Sequence, residues 1–172
     1  MGKILGSWSG MRKYLEQEMI ATCLKTRIRY SSTTYVGMVG SYIFEILVDN
    51  KSIKRFSFET VNTYFIKEGY KENFGSYGIG EYWSEFWSLM DKIPLQSRTE
   101  YTDDEFCNAL AIYRNQDIKT SVVSENPIVK MFALLDRRIG KRILSRLKGE
   151  IKNEPEWIQY FFTLRLEAEH IK

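Results

Sequence analysis

A single histidine, two cysteines and three prolines are all that 172 residues hold of these types. Each scarcity removes a class of chemistry. The histidine, His170, lies third from the C-terminal end, where a chain frays unless it is tied down. A Cys–His or Ser–His pairing would have to recruit that tail, and a His-rich metal centre cannot be assembled at all. Cys23 and Cys107 lie far apart, each within an apolar pattern. A secreted disulfide framework or a zinc site needs more cysteines, or Cys and His at close spacing. The expectation is therefore two reduced thiols in a cytoplasmic protein, with no metal and no cofactor. No stretch approaches the ~20 apolar residues that span a bilayer, so no membrane association is expected. The opening Met1-Gly2-Lys3-Ile4-Leu5 has no signal-peptide core, because Arg12, Lys13, Glu16 and Glu18 soon follow. Gly2 is followed at position 6 by Gly, where a myristoylation start needs Ser or Thr.

What the chain does have is a large apolar share: 44% hydrophobic and 15% aromatic residues, against 27% charged and a net charge of +3. That length and composition suit one globular domain over residues 1–172, one that buries roughly 70% of its unfolded surface without staples. The small net charge conceals a division. Residues 1–60 carry nine Lys/Arg against five Asp/Glu, residues 61–126 six against eleven, and residues 127–172 ten against six. An acidic middle between basic ends can mark an anionic partner, or the parts can neutralise one another internally.

The periodicities predict an α+β fold: an N-terminal helix, a three-stranded antiparallel β-meander and a helical C-terminal half of about five helices. Trp8, Met11, Leu15, Met19 and Cys23 recur at helical spacing over 8–24, with Ser9 as the expected N-cap. Alternation over Lys25–Tyr30 places Lys25, Arg27 and Arg29 on one face and Ile28 and Tyr30 on the other. Ser41–Val48 reads as a second strand and Ser52–Glu59 as a third, joined by a hairpin turn at Asp49-Asn50-Lys51. Val61, Tyr64 and Phe65 suggest a short helix. Gly69, Gly75, Gly78 and Gly80 then punctuate a Tyr-rich loop, and Glu81 stands where a P-loop would need Lys and Ser/Thr, so nucleotide binding is not expected. Tyr82, Phe86, Leu89 and Met90 form a helical stripe that stops at Pro94, and the neighbouring Trp83 and Trp87 are expected to pack in the core. Thr102-Asp103-Asp104-Glu105 is a capping box whose acids are accounted for by the helix dipole. Asn126-Pro127 and Glu154-Pro155-Glu156 open two further helices.

The most informative segment is 137–148. On a helical wheel, Arg137, Arg138, Lys141, Arg142, Arg146 and Lys148 occupy about half the circumference, and Ile139, Ile143, Leu144, Leu147 and Ile151 the other half. Asp136 and Gly140 do not fit a straight helix. Both are explained by a bend near Gly140 with Asp136 paired to an arginine. No catalytic residues are assigned. The candidate anion- or nucleic-acid-binding residues are Arg137, Arg138, Lys141, Arg142 and Arg146, five cations of which the arginines can fork onto phosphate.

Four strings carry a resemblance: Ser124-Glu125-Asn126-Pro127-Ile128-Val129; Leu135-Asp136-Arg137-Arg138-Ile139-Gly140-Lys141-Arg142; Pro155-Glu156-Trp157; and Leu164-Arg165-Leu166-Glu167-Ala168-Glu169. Together they resemble a family of small uncharacterised bacterial proteins marked by LDRR-x-GKR, for which no activity, cofactor or partner is established. The resemblance implies a bacterial cytoplasmic origin and nothing more. Function is then weighed on the residues. A non-enzymatic module binding an unknown protein partner comes first. The alternative is nucleic-acid binding through the basic helix 137–148, helped by Lys25, Arg27 and Arg29. A second alternative is a hydrolase-type enzyme using Asp/Glu, which would need a pocket converging on a carboxylate of shifted pKa.

Overall fold

The structure, a computed structural model, describes residues 6–34, 42–73 and 78–171. Helix α1, Trp8–Lys13, starts at Ser7 rather than Ser9, because the Ser7 hydroxyl accepts from the Gly10 N–H. It widens into a π-helical turn over Tyr14–Met19 and stops at Ile20, which takes an extended conformation. The predicted helix over 8–24 is thus broken, and only a 3₁₀ turn, Thr22–Leu24, lies beyond the break.

The chain then enters a three-stranded antiparallel sheet in the order β1-β2-β3. Strand β1 spans Ile28–Thr34, β2 Tyr42–Val48 and β3 Lys51–Phe56. Lys25 and Arg27 precede the first strand instead of belonging to it. Asp49 and Asn50 both take positive φ, 50° and 66°, as a two-residue hairpin between right-twisted strands requires. Arg27 grips the Asp49 carboxylate through Nε and Nη2, which ties the strand entry to that turn. The third strand ends at Phe56, short of Glu59. Ser57 leaves the ladder to cap helix α2, Phe58–Lys67, accepting from the Thr60 N–H.

Helix α3, Ile79–Lys92, begins two residues before the helical pattern expected from 81, so Gly80 sits in a helical first turn and not in a loop. Gly75 lies outside the described residues. Five more helices follow: α4 Asp103–Asn115, α5 Ile118–Val122, α6 Pro127–Leu135, α7 Lys141–Leu147 and α8 Glu156–Ala168. The Asn126 side chain and Pro127 start α6 as expected, and the capping box at Thr102 and Glu105 starts α4.

The core has a clear layering. Phe44 and Phe56 on the inner face of the sheet meet Phe106 of α4 at 5.2 and 4.8 Å between ring centroids, and Phe106 meets Phe132 of α6 at 5.4 Å. Apart from Lys130, every residue of α6 is buried. This is the expected state of a helix apolar on all sides. Helices α2 and α3 enclose a smaller, separate cluster in which Phe58 and Phe65 pack on Phe86. Trp87 does not join it fully. It touches Phe58 and Phe86 but remains 52% exposed, contrary to its expected place in the core. The first-turn acids of α4 also do more than complement a dipole: buried Asp103 accepts the Tyr42 N–H at 3.0 Å and fixes the start of β2.

Candidate functional site

Helix α6 ends because Asp136 leaves helical geometry for the extended region. There it forms a short antiparallel bridge with Ile20: Ala21 N–H donates to the Leu135 carbonyl and Arg137 N–H to the Met19 carbonyl, both at 2.9 Å. This bridge is the reason the first helix breaks, since Ile20 must be extended to reach it.

The Asp136 carboxylate, only 1% exposed, is surrounded by donors. It accepts the Arg138 backbone N–H at 2.6 Å, the Arg138 guanidinium through Nε and Nη2 at 2.8–3.1 Å, and the Tyr113 hydroxyl. The Tyr113 hydroxyl also accepts from Arg138 Nη2 at 3.0 Å. Burial, then the adjacent carboxylate, push the Tyr113 pKa up, while Asp136 holds Arg138 firmly in its charged form. Nearby, the Arg114 guanidinium lies 4.9 Å over the Tyr14 ring.

A second arginine closes the turn from the other side. Arg165 of α8, 2% exposed, donates through Nη1 to the carbonyls of Leu135 and Asp136 and through Nη2 to that of Ile139, at 2.8–3.2 Å. Its charge is met by Glu169 at 3.1 Å, and the Glu169 carboxylate accepts from the Cys23 thiol. Burial and that hydrogen bond push the Cys23 pKa up, away from reactive thiolate. Two of the resembling strings are therefore in direct contact. The Arg of Leu164-Arg165-Leu166 is the clamp on the backbone of Leu135-Asp136-Arg137-Arg138-Ile139.

Held this way, the turn presents its cations outward. Ile139 is fully buried, Gly140 serves as the extended residue before α7, and Leu144 and Leu147 turn inward. The basic segment is thus helical over Lys141–Leu147 only, not over 137–148. Arg137, Lys141, Arg142 and Arg146 are exposed, and their side chains form no ion pair or hydrogen bond among the described residues. Arg138 differs. Its side chain is 49% exposed, yet its guanidinium is committed to Asp136. Four of the five sequence candidates are exposed with side chains unpaired among the described residues, and the fifth holds the turn in place. The acidic middle of the chain does absorb cations, but different ones: Glu100 pairs with buried Lys54 at 2.8 Å and Glu105 with buried Arg98. Tyr113, Arg165 and Lys54 had no distinguishing spacing. The one usable signal was Asp136 falling among aliphatics, which demanded a partner.

Residues 7–166 match one family over most of their length. The chain belongs to the SF0329 protein family. No curated protein and no solved structure matches it. Family membership agrees with the resemblance carried by the motif strings as far as an uncharacterised family, and assigns no chemistry. Among the described residues, no helix is long and apolar enough to cross a membrane, and no group of three or more His, Cys, Asp or Glu could hold a metal ion. Among the described residues, the one carboxyl whose pKa is pushed up, by burial, is Asp103. It is engaged with the Tyr42 N–H and lines none of the described cavities.

Proposed function

We propose that this protein is a non-enzymatic interaction module, a single domain working in a bacterial cytoplasm. Its contact face is the ridge Arg137, Lys141, Arg142 and Arg146, and its partner is an acidic protein segment. The observation that carries this reading is the contrast within one segment: the Arg138 guanidinium is consumed by Asp136, while the side chains of the cations on either side of it have no acceptor among the described residues. A fixed backbone lowers the ordering cost of binding, and arginine is enriched at protein interfaces. No exposed aromatic lies within 137–148 to stack on bases, which favours carboxylates over nucleic acid as the acceptor.

The test is a fluorescence-anisotropy titration of a labelled glutamate-rich peptide and of a labelled DNA duplex at low salt. The protein is compared with its Arg137→Gln/Lys141→Gln/Arg142→Gln/Arg146→Gln variant. The reading predicts peptide binding that weakens with salt and falls at least about tenfold in the variant, a loss of about 1.4 kcal/mol. Duplex binding with a salt slope of about −3.6, the value for four phosphates neutralised, would instead establish nucleic acid as the ligand. Binding of neither probe would overturn the ridge as a contact face.

A further inference from the structure

Beside the ridge, the surface dips into a notch of about 100 Å³ lined by Val122 and Val123 at the end of α5, Leu134 of α6, Leu147 of α7 and Ile151. Arg146 directly precedes Leu147, so the last ridge cation and the notch wall are adjacent on one helix. Val122 and Leu147 are nearly buried at 4% exposure, but Val123 is 59% exposed. One wall of an apolar hollow is therefore left in water, where it gains nothing from burial. The polar lip is asymmetric. On one side Lys130 and Glu154 neutralise each other in an ion pair, and Glu150 stands exposed beside them without a cation partner among the described residues. Arg146 is not part of the lining; it precedes the lining residue Leu147 in α7 and leads from the notch towards exposed Arg142 and Lys141.

We propose that this notch is the anchor pocket for the ridge's partner: it receives one aliphatic side chain of a protein segment whose acidic residues lie across Arg142 and Arg146. The proposal rests on the reading of the ridge as a contact face and adds to it the residue that gives the partner its register. The volume admits a single side chain, well short of the ~300 Å³ at which small-molecule pockets begin. Closure by an aliphatic group covers Val123 and completes the lining. Glu150 dictates polarity, since acidic residues on its side of the anchor would meet like charge. The segment is acidic on one side of its anchor and neutral or basic on the other. A nucleic acid has no group that fills such a notch.

The experiment compares two short synthetic peptides, each with glutamates on one side of a central residue that is leucine in one and alanine in the other. Affinity is read by anisotropy and location by methyl NMR shifts of Val122, Val123, Leu134, Leu147 and Ile151. The leucine peptide is expected to bind about tenfold more tightly, the scale set by burying one aliphatic side chain, and to shift those methyls. Val123→Asn, at an exposed position that the core does not need, is expected to remove most of that advantage while leaving the alanine peptide's affinity unchanged. Equal affinities with no methyl shifts would overturn the anchor pocket and leave the ridge reading intact. Failure of both peptides would overturn both.

Discussion

The molecule treats its cations in two opposite ways. Lys54, Arg98 and Arg165 are 5%, 2% and 2% exposed. Each is matched by a carboxylate: Glu100, Glu105 and Glu169. Lys54 and Arg165 also donate to backbone carbonyls, and those of Thr99 and Ile139 lie outside any helix or strand ladder. Arg137, Lys141, Arg142 and Arg146 face water and have no such acceptor among the described residues. A buried cation must be surrounded by acceptors or its desolvation is unrepaid. An exposed one needs nothing from its own chain and is available to another. Arg138 stands at the boundary, half in water yet fixed on a buried carboxylate. The difference shows that composition alone says little about a basic segment, because neighbouring arginines in one string have unrelated jobs.

Substitutions that exchange the two classes should give sharply different costs. The largest loss is expected for Arg165→Met, which leaves the Ile139 carbonyl without its donor, the carbonyls of Leu135 and Asp136 with one donor fewer, and Glu169 without its cation. Removing one partner of a buried pair costs about 3–5 kcal/mol. Urea unfolding should therefore show a clearly lowered midpoint with an unchanged slope. Asp136→Asn comes next. It weakens charge-assisted bonds from Arg138 and Tyr113, worth about 1.5–3 kcal/mol together with the loss of the ion pair. Hydrogen exchange should report faster opening at the Met19–Ala21 bridge if the turn is the shared support of both segments.

Alkali should erode the buried class without involving the ridge. Burial pushes the Cys107 thiol up to about 12 from an ordinary 9.0, and Tyr30, Tyr101 and Tyr113 are raised above their ordinary 10.0. These groups stay protonated in the folded chain while the unfolded chain ionises. The unfolded state then binds fewer protons, and stability falls as pH rises. The contribution is whole below pH 9 and is withdrawn from there upward, at about 1.4 kcal/mol per pH unit for each group past its unfolded value. Lys54 and Lys71 work the other way: burial lowers the pKa of each, so their share of stability rises as pH climbs towards 10.5. Chemical denaturation at pH 8 and at about pH 11 should show the net loss expected from those four groups against the two lysines. Equal midpoints would contradict it.

Much of this architecture was legible in the chain. The hairpin at Asp49-Asn50, the capping box at Thr102 and the Asn126-Pro127 start are local signals. Their satisfaction depends on residues three or four positions away, so sequence reveals them. Of the inward set expected from periodicity, Ile139, Leu144 and Leu147 are buried and Ile143 and Ile151 only partly so, and the need of Asp136 for an arginine followed from its position among aliphatics. What escaped was set by distant contacts. Helix 8–24 has good periodicity, but Ile20 gives up helical geometry for hydrogen bonds to a segment over a hundred residues away. Arg165 reads as one more polar position on α8, and nothing near it in sequence announces that it faces three carbonyls. Trp87 was misplaced because a helix of two turns or more with aromatics on several sides, as α3 has, cannot bury them all against a single partner helix.

The division between holding and free cations is tested most directly by measuring the unfolding free energies of Arg138→Gln and Arg142→Gln side by side. Arg138→Gln should cost about 1–3 kcal/mol, below the range for a fully buried pair because half of its side chain is already in water. Arg142→Gln should stay within about 0.5 kcal/mol of the parent, as an unpartnered surface position does. Equal losses for the two, or a larger loss for Arg142, would mean that the ridge is spent inside the fold and is not free for a partner.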